Sequence, residues 1–304
     1  MNQLHIIDAH SHLWLTQDTV VDGQRICQLE PNRSRSLFFG EERQMLPPFM
    51  TDGQNTAERF LSNMDYAQVA AAVVTQEFID GIQNSYLLQV ESRYPNRFFT
   101  FGMLDYRNPD FMQAAPGVVE AFKGIKVPAA RLPQQFLTDA MLQLLQLMEK
   151  QGKILGIELQ DGDTQVGQME ELIQECPNLK IAIGHFGMVT REGWMSQIRL
   201  ARHKNVYVES GGITWLFNDE FYPFPSAIRA IKQAADEVGM DKLMWGSDYP
   251  RTITAITYKM SYDFVEKSSE LTADEKALFL GKNAKQFFGF GDLIELPYIK
   301  NMSE

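Results

Sequence analysis

Cysteine is scarce in this chain of 304 residues, which contains only Cys27 and Cys176. The two cysteines lie far apart and form no CxxC pair, so the sequence offers neither a disulfide framework nor a cysteine-based zinc site. This scarcity is typical of a reducing compartment, and we expect a cytoplasmic protein. The first ten residues, MNQLHIIDAH, also lack the basic segment and long apolar run of a secretory signal peptide.

The chain also has few basic residues and no long apolar run. The chain has 28 Lys and Arg against 39 Asp and Glu, which gives a formal net charge of −11. A nucleic-acid-binding protein usually carries a basic surface, so we expect no nucleic-acid partner. No apolar run approaches the roughly 20 residues that cross a bilayer, so we expect no membrane partner. The remaining composition, 44% hydrophobic, indicates a globular protein with a large core.

Short runs of β-branched and aromatic residues recur along the chain, each followed by a longer amphipathic segment. They predict eight strands, near HIIDAH, QVAAAVVTQ, RFFTFGML, FKGIKVP, KILGIELQ, LKIAIGHFG, NVYVESGG and KLMWGSDYP. Predicted helices between them include 139–152, 164–178 and 225–240. The alternation predicts an α/β fold, a (β/α)8 TIM barrel that forms a single domain over residues 1–304. An open doubly wound sheet is the alternative, but the glycine-rich turn expected after its first strand is absent.

The first connection of this barrel is unusually long. Residues 16–66 separate the first two predicted strands, whereas most loops in compact domains have about 4–6 residues. In a barrel this connection leaves from the C-terminal end of the strand, where active sites lie. We expect the insertion to cap the pocket, and the alternatives are an oligomer contact and an insertion without a role in the site.

Two of the five histidines stand close together in the first strand, in the segment DAHSH. Residues two apart point to the same face of a strand, so Asp8, His10 and His12 are expected to share one side. Two imidazoles at one strand end can bind one metal ion. Two histidines that merely form hydrogen bonds in a loop are the alternative.

Polar side chains also end three other predicted strands. Strand alternation places each of them on a face with two neighbours: Glu158 with Ile154 and Gly156, His185 with Ile181 and Ile183, and Asp248 with Met244 and Gly246. A carboxylate after an apolar strand needs a partner or a metal. Because the strand ends of a barrel meet around one cavity, these residues and the histidine pair predict a metal site there.

The segments DAHSHLW, FKGIKVP, IAIGHFG, WGSDYP and LFLGKNAKQFFGF occur in an order that resembles the amidohydrolase superfamily over nearly the whole chain. The resemblance is greatest to the amidohydrolase-related branch, which contains lactone hydrolases and non-oxidative decarboxylases. It implies that His10, His12 and Asp248 bind a metal and that His185 lies beside it and assists catalysis.

The fifth strand departs from this resemblance. Many family members carry a histidine ligand there, whereas strand register puts Glu158 at that place in this chain. We therefore expect Glu158 as a fourth ligand, with a carboxylate that orients His185 or an arginine as the alternative. We expect one divalent ion, zinc, with manganese as the alternative.

Three further residues are predicted to bind substrate. Lys126 ends the fourth strand, and a salt bridge at the strand end is the alternative to a substrate contact. Arg251 in SDYPR could bind a substrate carboxylate bidentately, and a pair with a surface acid is the alternative. Ser210 ends the seventh strand on the face of Val206 and Val208, which we expect to point to the cavity. Some superfamily members carry a carboxylated lysine that bridges two metals at the position of Lys126, but without a histidine in the fifth strand we expect one ion only.

The expected activity follows from this site. A metal-activated water would attack the substrate, Asp248 would take its proton, and His185 would polarise the carbonyl. We predict a metal-dependent hydrolase whose small-molecule substrate is a lactone or a related cyclic ester or amide. Lys126 and Arg251 are the candidate anchors for a carboxylate, if the substrate carries one. The alternatives are a metal-dependent non-oxidative decarboxylase of an aromatic or unsaturated carboxylic acid, and a non-catalytic barrel. We also expect a homodimer.

Overall fold

The computed structural model describes residues 5–302 and residue 304. Within this part of the chain the strands are β1 (Ile6–His12), β2 (Asp18–Val21), β3 (Gln24–Gln28), β4 (Arg35–Phe38), β5 (Glu41–Gln44), β6 (Val69–Thr75), β7 (Phe98–Met103), β8 (Gly124–Pro128), β9 (Ile154–Glu158), β10 (Lys180–Ile183), β11 (Val206–Glu209) and β12 (Leu243–Met244). Eight of them, in the order β1-β6-β7-β8-β9-β10-β11-β12, pair in parallel. The other four form a separate antiparallel sheet.

Helices connect the parallel strands, and three more follow the last strand. They are α1 (Ala57–Tyr66), α2 (Asn84–Arg93), α3 (Ala115–Ala121), α4 (Asp139–Lys150), α5 (Val166–Glu175), α6 (Trp194–Arg199), α7 (Ile213–Leu216), α8 (Pro225–Val238), α9 (Met260–Lys267), α10 (Ala273–Ala277) and α11 (Asn283–Phe288). α4, α5 and α8 lie within the three segments predicted from the sequence. The predicted (β/α)8 barrel is confirmed, and no helix of the described residues is long and apolar enough to span a bilayer.

Backbone hydrogen bonds between the first and last parallel strands nearly close the barrel. Trp245 O accepts from Ala9 N at 2.8 Å, and Tyr249 O accepts from His12 N at 2.7 Å. In the other direction, Asp248 N donates to His10 O at 2.8 Å. The seam therefore brings the first and last polar strand ends of the sequence into direct contact.

The pairing of β1 with β6 is irregular next to the histidines. Asp8 pairs with Ala72 and Ser11 with Val74, so three steps on β1 correspond to two on β6. Such a bulge reverses the side of the strand on which the following side chains lie. His10 and His12 face the barrel mouth, whereas Asp8 accepts hydrogen bonds from Ser247 and Tyr258. The expectation that Asp8 shares their face is wrong for this reason.

The long first connection forms the antiparallel sheet β2–β5. Backbone hydrogen bonds in both directions, each 3.0 Å long, join Trp14 to Asn55, so the insertion leaves and rejoins the barrel at one point. Its last ten residues in the expected range 16–66 are α1, the first helix of the barrel. Phe38, Arg43 and Met45 of the insertion reach a cavity at the barrel mouth.

Candidate functional site

A cavity of about 750 Å³ opens at the C-terminal ends of the barrel strands. Four of the seven residues expected to bind the metal or the substrate line it: His12, Glu158, Asp248 and Arg251. His185, expected to assist catalysis, lines it as well. His10 lies just beneath, fully buried, in contact with these residues.

The two histidines of β1 direct one nitrogen each toward the other. His10 Nε2 and His12 Nε2 are 3.1 Å apart. On the opposite edges of the rings, His10 Nδ1 lies 2.6 Å from Glu209 Oε1, and His12 Nδ1 lies 2.9 Å from Asp80 Oδ2. Each imidazole is therefore placed between a buried carboxylate and its neighbouring imidazole.

Asp248 completes a group of three donors with these histidines. Its Oδ1 lies 3.2 Å from His12 Nε2 and 3.6 Å from His10 Nε2, while Trp215 Nε1 donates to its Oδ2 at 2.8 Å. The residue adopts a left-handed backbone conformation, φ 58°, in the segment that follows the short last strand, Leu243–Met244. Burial alone would raise the pKa of Asp248, but the contact with His12 and the charge of Arg251 hold it well below its ordinary value.

These three residues fit a divalent cation. Their donor atoms lie within 4.8 Å of one another, and all three side chains are buried. Asp248 Oδ1 is buried and has no hydrogen-bond partner among the described residues. The lone pairs of two imidazole nitrogens and a carboxylate oxygen at these distances repel one another unless a proton or a metal cation lies among them, and imidazole and carboxylate are a donor set that zinc accepts.

Glu158 lies beside this group and belongs to a second one. Its Oε1 is 2.5 Å from Lys126 Nζ, 3.3 Å from His185 Nε2 and 4.0 Å from His10 Nε2. Glu158, His10 and His185 also form a group of donors that could hold a metal ion. Burial alone would raise the pKa of Glu158, but Lys126 and His185 hold it well below its ordinary value.

His185 reaches the site by a route that strand alternation does not predict. The barrel face of β10 carries Ala182, whereas Ile181 and Ile183 pack in the core outside the barrel. The strand ends before His185, whose φ of 57° turns its side chain into the cavity. Its Nδ1 lies 2.9 Å from Gly211 O. Burial lowers the pKa of His185, but the adjacent Glu158 carboxylate raises it to about 9.

Ser210 does not face the cavity as expected. Its side chain is fully buried, and its Oγ accepts a hydrogen bond from Gly246 N at 3.2 Å. The reason is the register of β11: Val206 and Val208 pack in the outer core, so the barrel face carries Glu209 instead. The expected orientation of Ser210 is thus wrong.

The two expected basic residues differ in accessibility. Arg251 lines the cavity, with Nη2 2.7 Å from Asp80 Oδ1 and Nη1 3.9 Å from Asp248 Oδ1. Lys126 is only 2% exposed and is occupied by Glu158. The sequence interpretation did not include Asp80, although an acid shortly after the second barrel strand resembles the strand-end signals used elsewhere.

Comparisons with known proteins agree with this architecture. The structure of a probable 2-pyrone-4,6-dicarboxylic acid hydrolase from Acinetobacter baumannii, with citric acid bound, has 19% identity and a TM-score of 0.68, over 94% of this chain and 100% of that one. An amidohydrolase from Burkholderia multivorans with bound zinc has 16% identity and a TM-score of 0.69, over the same shares. The 5-carboxyvanillate decarboxylase from Sphingomonas paucimobilis has 16% identity and a TM-score of 0.65, over 95% and 100%. At these identities the likeness concerns the fold.

Sequence comparison adds the family. No curated protein sequence gives a significant match. The sequence profile described as Amidohydrolase, in contrast, matches residues 7–290, which include the histidine pair, the cavity and the last helix. With nearly the whole chain matched, the protein is an enzyme of the amidohydrolase family.

Proposed function

We propose that this enzyme is a metal-dependent hydrolase of a small carboxylated lactone or a related cyclic ester or amide. The observation that carries the proposal is the position of Asp248 Oδ1. It lies beside both imidazole Nε2 atoms, 3.2 and 3.6 Å away, and has no hydrogen-bond partner among the described residues. A carboxylate kept ionised beside a cation site is suited to take a proton from water.

His10, His12 and Asp248 would hold the ion, with Glu158 as the proposed fourth ligand. We propose zinc because the donors are imidazole nitrogens and carboxylate oxygens, and manganese is the alternative. When bound, such an ion supplies Lewis acidity that makes water nucleophilic near neutral pH. The Glu158 carboxylate is less free to turn toward the ion than the other ligands, because Lys126 and His185 already contact its Oε1.

Asp248 would move the proton of the reaction. Its carboxylate would accept a proton from the attacking water and return it to the alkoxide or amine that leaves when the ring opens. Trp215 fixes one carboxylate oxygen, Oδ2, through its Nε1–H. The positive charge of Arg251 favours the ionised carboxylate, which is the form that can act as the base.

His185 would stabilise the negative charge that develops on the substrate carbonyl oxygen. Glu158 raises its pKa to about 9, so the ring is protonated near neutral pH. The contact of Nδ1 with Gly211 O fixes the orientation of the ring at the cavity wall. A fixed donor aimed at a developing oxyanion is often worth several kcal/mol to the barrier.

Arginine side chains support a carboxylated substrate. Arg251, Arg131 and Arg43 line the cavity, the last of them from the insertion. Guanidinium groups bind carboxylates bidentately. The citric acid bound to the Acinetobacter protein, itself a carboxylated molecule, is consistent with this choice.

A non-oxidative decarboxylase is the second candidate, and the observation that favours it is the position of His185 at the cavity wall, beside the Glu158 carboxylate that raises its pKa. An acid at the cavity wall could protonate the carbon that loses carbon dioxide. One of the structures similar in fold is a decarboxylase. The two reactions are separated by their products, because only decarboxylation releases carbon dioxide.

The test combines metal content with turnover. Elemental mass spectrometry of the wild type should give about one zinc or manganese per chain, and Asp248→Ala and Glu158→Ala should lose it. Glu170→Ala, which changes a surface carboxylate beside His203, is the control and should retain the ion.

The turnover test compares two lactones. The wild-type enzyme should hydrolyse 5-oxotetrahydrofuran-2-carboxylate, which carries a carboxylate, faster than γ-butyrolactone, which does not. Failure to bind any divalent ion would contradict the proposal, and carbon dioxide release from 5-carboxyvanillate without lactone hydrolysis would favour the second candidate.

A further inference from the structure

Glu209 holds His10 on the side of the ring that faces away from the cavity. Its Oε1 lies 2.6 Å from His10 Nδ1, and both side chains are almost completely buried. Two glycines leave room for this pair. A Cβ at Gly211 would lie 2.7 Å from the His10 ring, and one at Gly246 would lie 2.9 Å from Glu209 Oε2. Backbone from two elements is therefore packed around one carboxylate–imidazole contact.

The second oxygen of Glu209 is also fixed. Its Oε2 accepts a hydrogen bond from the backbone N–H of Gly211 at 2.5 Å. A backbone N–H can only donate, so Oε2 must remain an acceptor and the carboxylate cannot rotate without losing this bond. Oε1 is thus presented to His10 Nδ1 as an acceptor as well, and the imidazole meets it by carrying a proton on Nδ1.

We propose that Glu209 is a positioning residue that fixes the tautomer of His10, with the proton on Nδ1 and the lone pair of Nε2 toward His12 and Asp248. The inference deepens the proposed function and rests on it in one respect, since a lone pair on Nε2 is what a metal ion requires. A histidine with its proton on Nε2 would direct that proton at the same place and exclude the ion.

The amide variant Glu209→Gln reverses this arrangement while keeping the shape of the side chain. Gly211 N–H retains the amide oxygen, so the NH₂ group must face His10 Nδ1. That nitrogen then has to accept, and the proton moves to Nε2. Glu209→Ala removes the acceptor without adding a donor, which leaves His10 free to adopt either tautomer.

The order of the two variants separates positioning from packing. If Glu209 acted only by filling space, the isosteric Gln would be tolerated better than Ala. Control of the tautomer predicts the reverse order. Zinc affinity should fall about 100-fold in Glu209→Gln and about 10-fold in Glu209→Ala, which is the range found when partners of ligating histidines are removed. Chelator competition on the purified full-length protein measures both losses. Glu170→Gln is the matched control, because Glu170 contacts His203 at 2.8 Å in a histidine–glutamate pair away from the cavity.

A second measurement reads the tautomer without metal. Long-range ¹H–¹⁵N spectra of the metal-free protein should show a proton on His10 Nδ1 in wild type and none there in Glu209→Gln. Two results would overturn the inference: a proton on Nδ1 in both proteins, or a zinc affinity of Glu209→Gln that equals or exceeds that of Glu209→Ala.

If Glu209→Gln does not fold, a third experiment replaces it. Formate added to Glu209→Ala should restore zinc affinity, and no restoration would also overturn the inference. Absence of zinc from wild type would refute the metal-dependent function alone, since the spectra still decide the tautomer.

Discussion

Lys126 Nζ lies 2.5 Å from Glu158 Oε1, and the side chains are only 3% and 8% exposed. The two residues come from the neighbouring strands β8 and β9, where Lys126 pairs with Gly156 and Pro128 with Glu158. A lysine this deeply buried is too occupied to act as a free anchor for substrate. Its ammonium instead compensates the Glu158 carboxylate at the edge of the candidate metal site.

Removal of the ammonium should therefore destabilise the fold. Lys126→Met leaves Glu158 buried without its closest partner, and we expect the free energy of unfolding to fall by about 3–5 kcal/mol. Urea unfolding followed by circular dichroism measures it. Lys123→Met is the control, because Lys123 pairs with Glu91 but is 69% exposed, and such pairs contribute about 0–1 kcal/mol. Addition of Glu158→Gln to Lys126→Met should recover part of the loss, and equal effects of the Lys126 and Lys123 variants would contradict the prediction.

Regular strands made part of the site predictable from sequence. In β9 the alternation continues to the last residue, so Glu158 faces the barrel interior together with Ile154, as expected. The eight barrel strands could also be predicted from the sequence, because each strand is a short apolar run followed by an amphipathic segment. The position of a side chain can be inferred wherever the period of two persists to the end of the strand.

The remaining positions depend on backbone geometry that residue types do not reveal. His185 and Asp248 follow their strands in left-handed conformations, and the bulge beside Ala9 separates Asp8 from His10. One irregular residue reverses every assignment after it. The predicted orientation of Ser210 is wrong for a related reason. Val206 and Val208 suit either side of the strand, so their residue type does not reveal which side faces the barrel interior.

Gly246 should tolerate no side chain. A Cβ there would lie 2.7 Å from His10 Cβ and 2.9 Å from Glu209 Oε2, at the seam that closes the barrel. We expect Gly246→Ala to lower the free energy of unfolding by about 1–3 kcal/mol through overpacking and to weaken zinc binding because His10 is displaced. Thermal unfolding and zinc titration measure the two effects.

Gly117→Ala is the matched control for this substitution. Gly117 lies in α3 with nothing within 4 Å of its added Cβ, so alanine there should be neutral or stabilise by about 0.5–1 kcal/mol. A stable Gly246→Ala protein with wild-type zinc affinity would show that the seam has more room than the structure indicates.

Arg43 tests whether the insertion takes part in substrate binding. It lines the cavity from β5, and its guanidinium lies over the ring of Phe38. We expect Arg43→Ala to raise KM about 10-fold for 5-oxotetrahydrofuran-2-carboxylate and to leave KM for γ-butyrolactone unchanged, since only the former carries a carboxylate. Arg33→Ala, an exposed arginine of the same insertion paired with Glu30, should change neither. An equal rise for both lactones would point to distortion of the insertion instead of loss of an anion contact.

Trp215 tests the role of Asp248 most directly, because it donates to the oxygen that does not face the histidines. Trp215→Phe keeps an aromatic ring but removes the N–H, and a hydrogen bond to a charged group contributes about 1.5–3 kcal/mol. We expect kcat to fall about 10- to 100-fold with zinc content unchanged. The lost donor favours the ionised carboxylate, so its removal also raises the pKa of Asp248 from its depressed value. Trp194→Phe, which changes a half-buried tryptophan stacked on Phe186, is the control and should keep the wild-type kcat. A wild-type kcat in Trp215→Phe would mean that the hydrogen bond to Oδ2 does not support the role of Asp248 as the base.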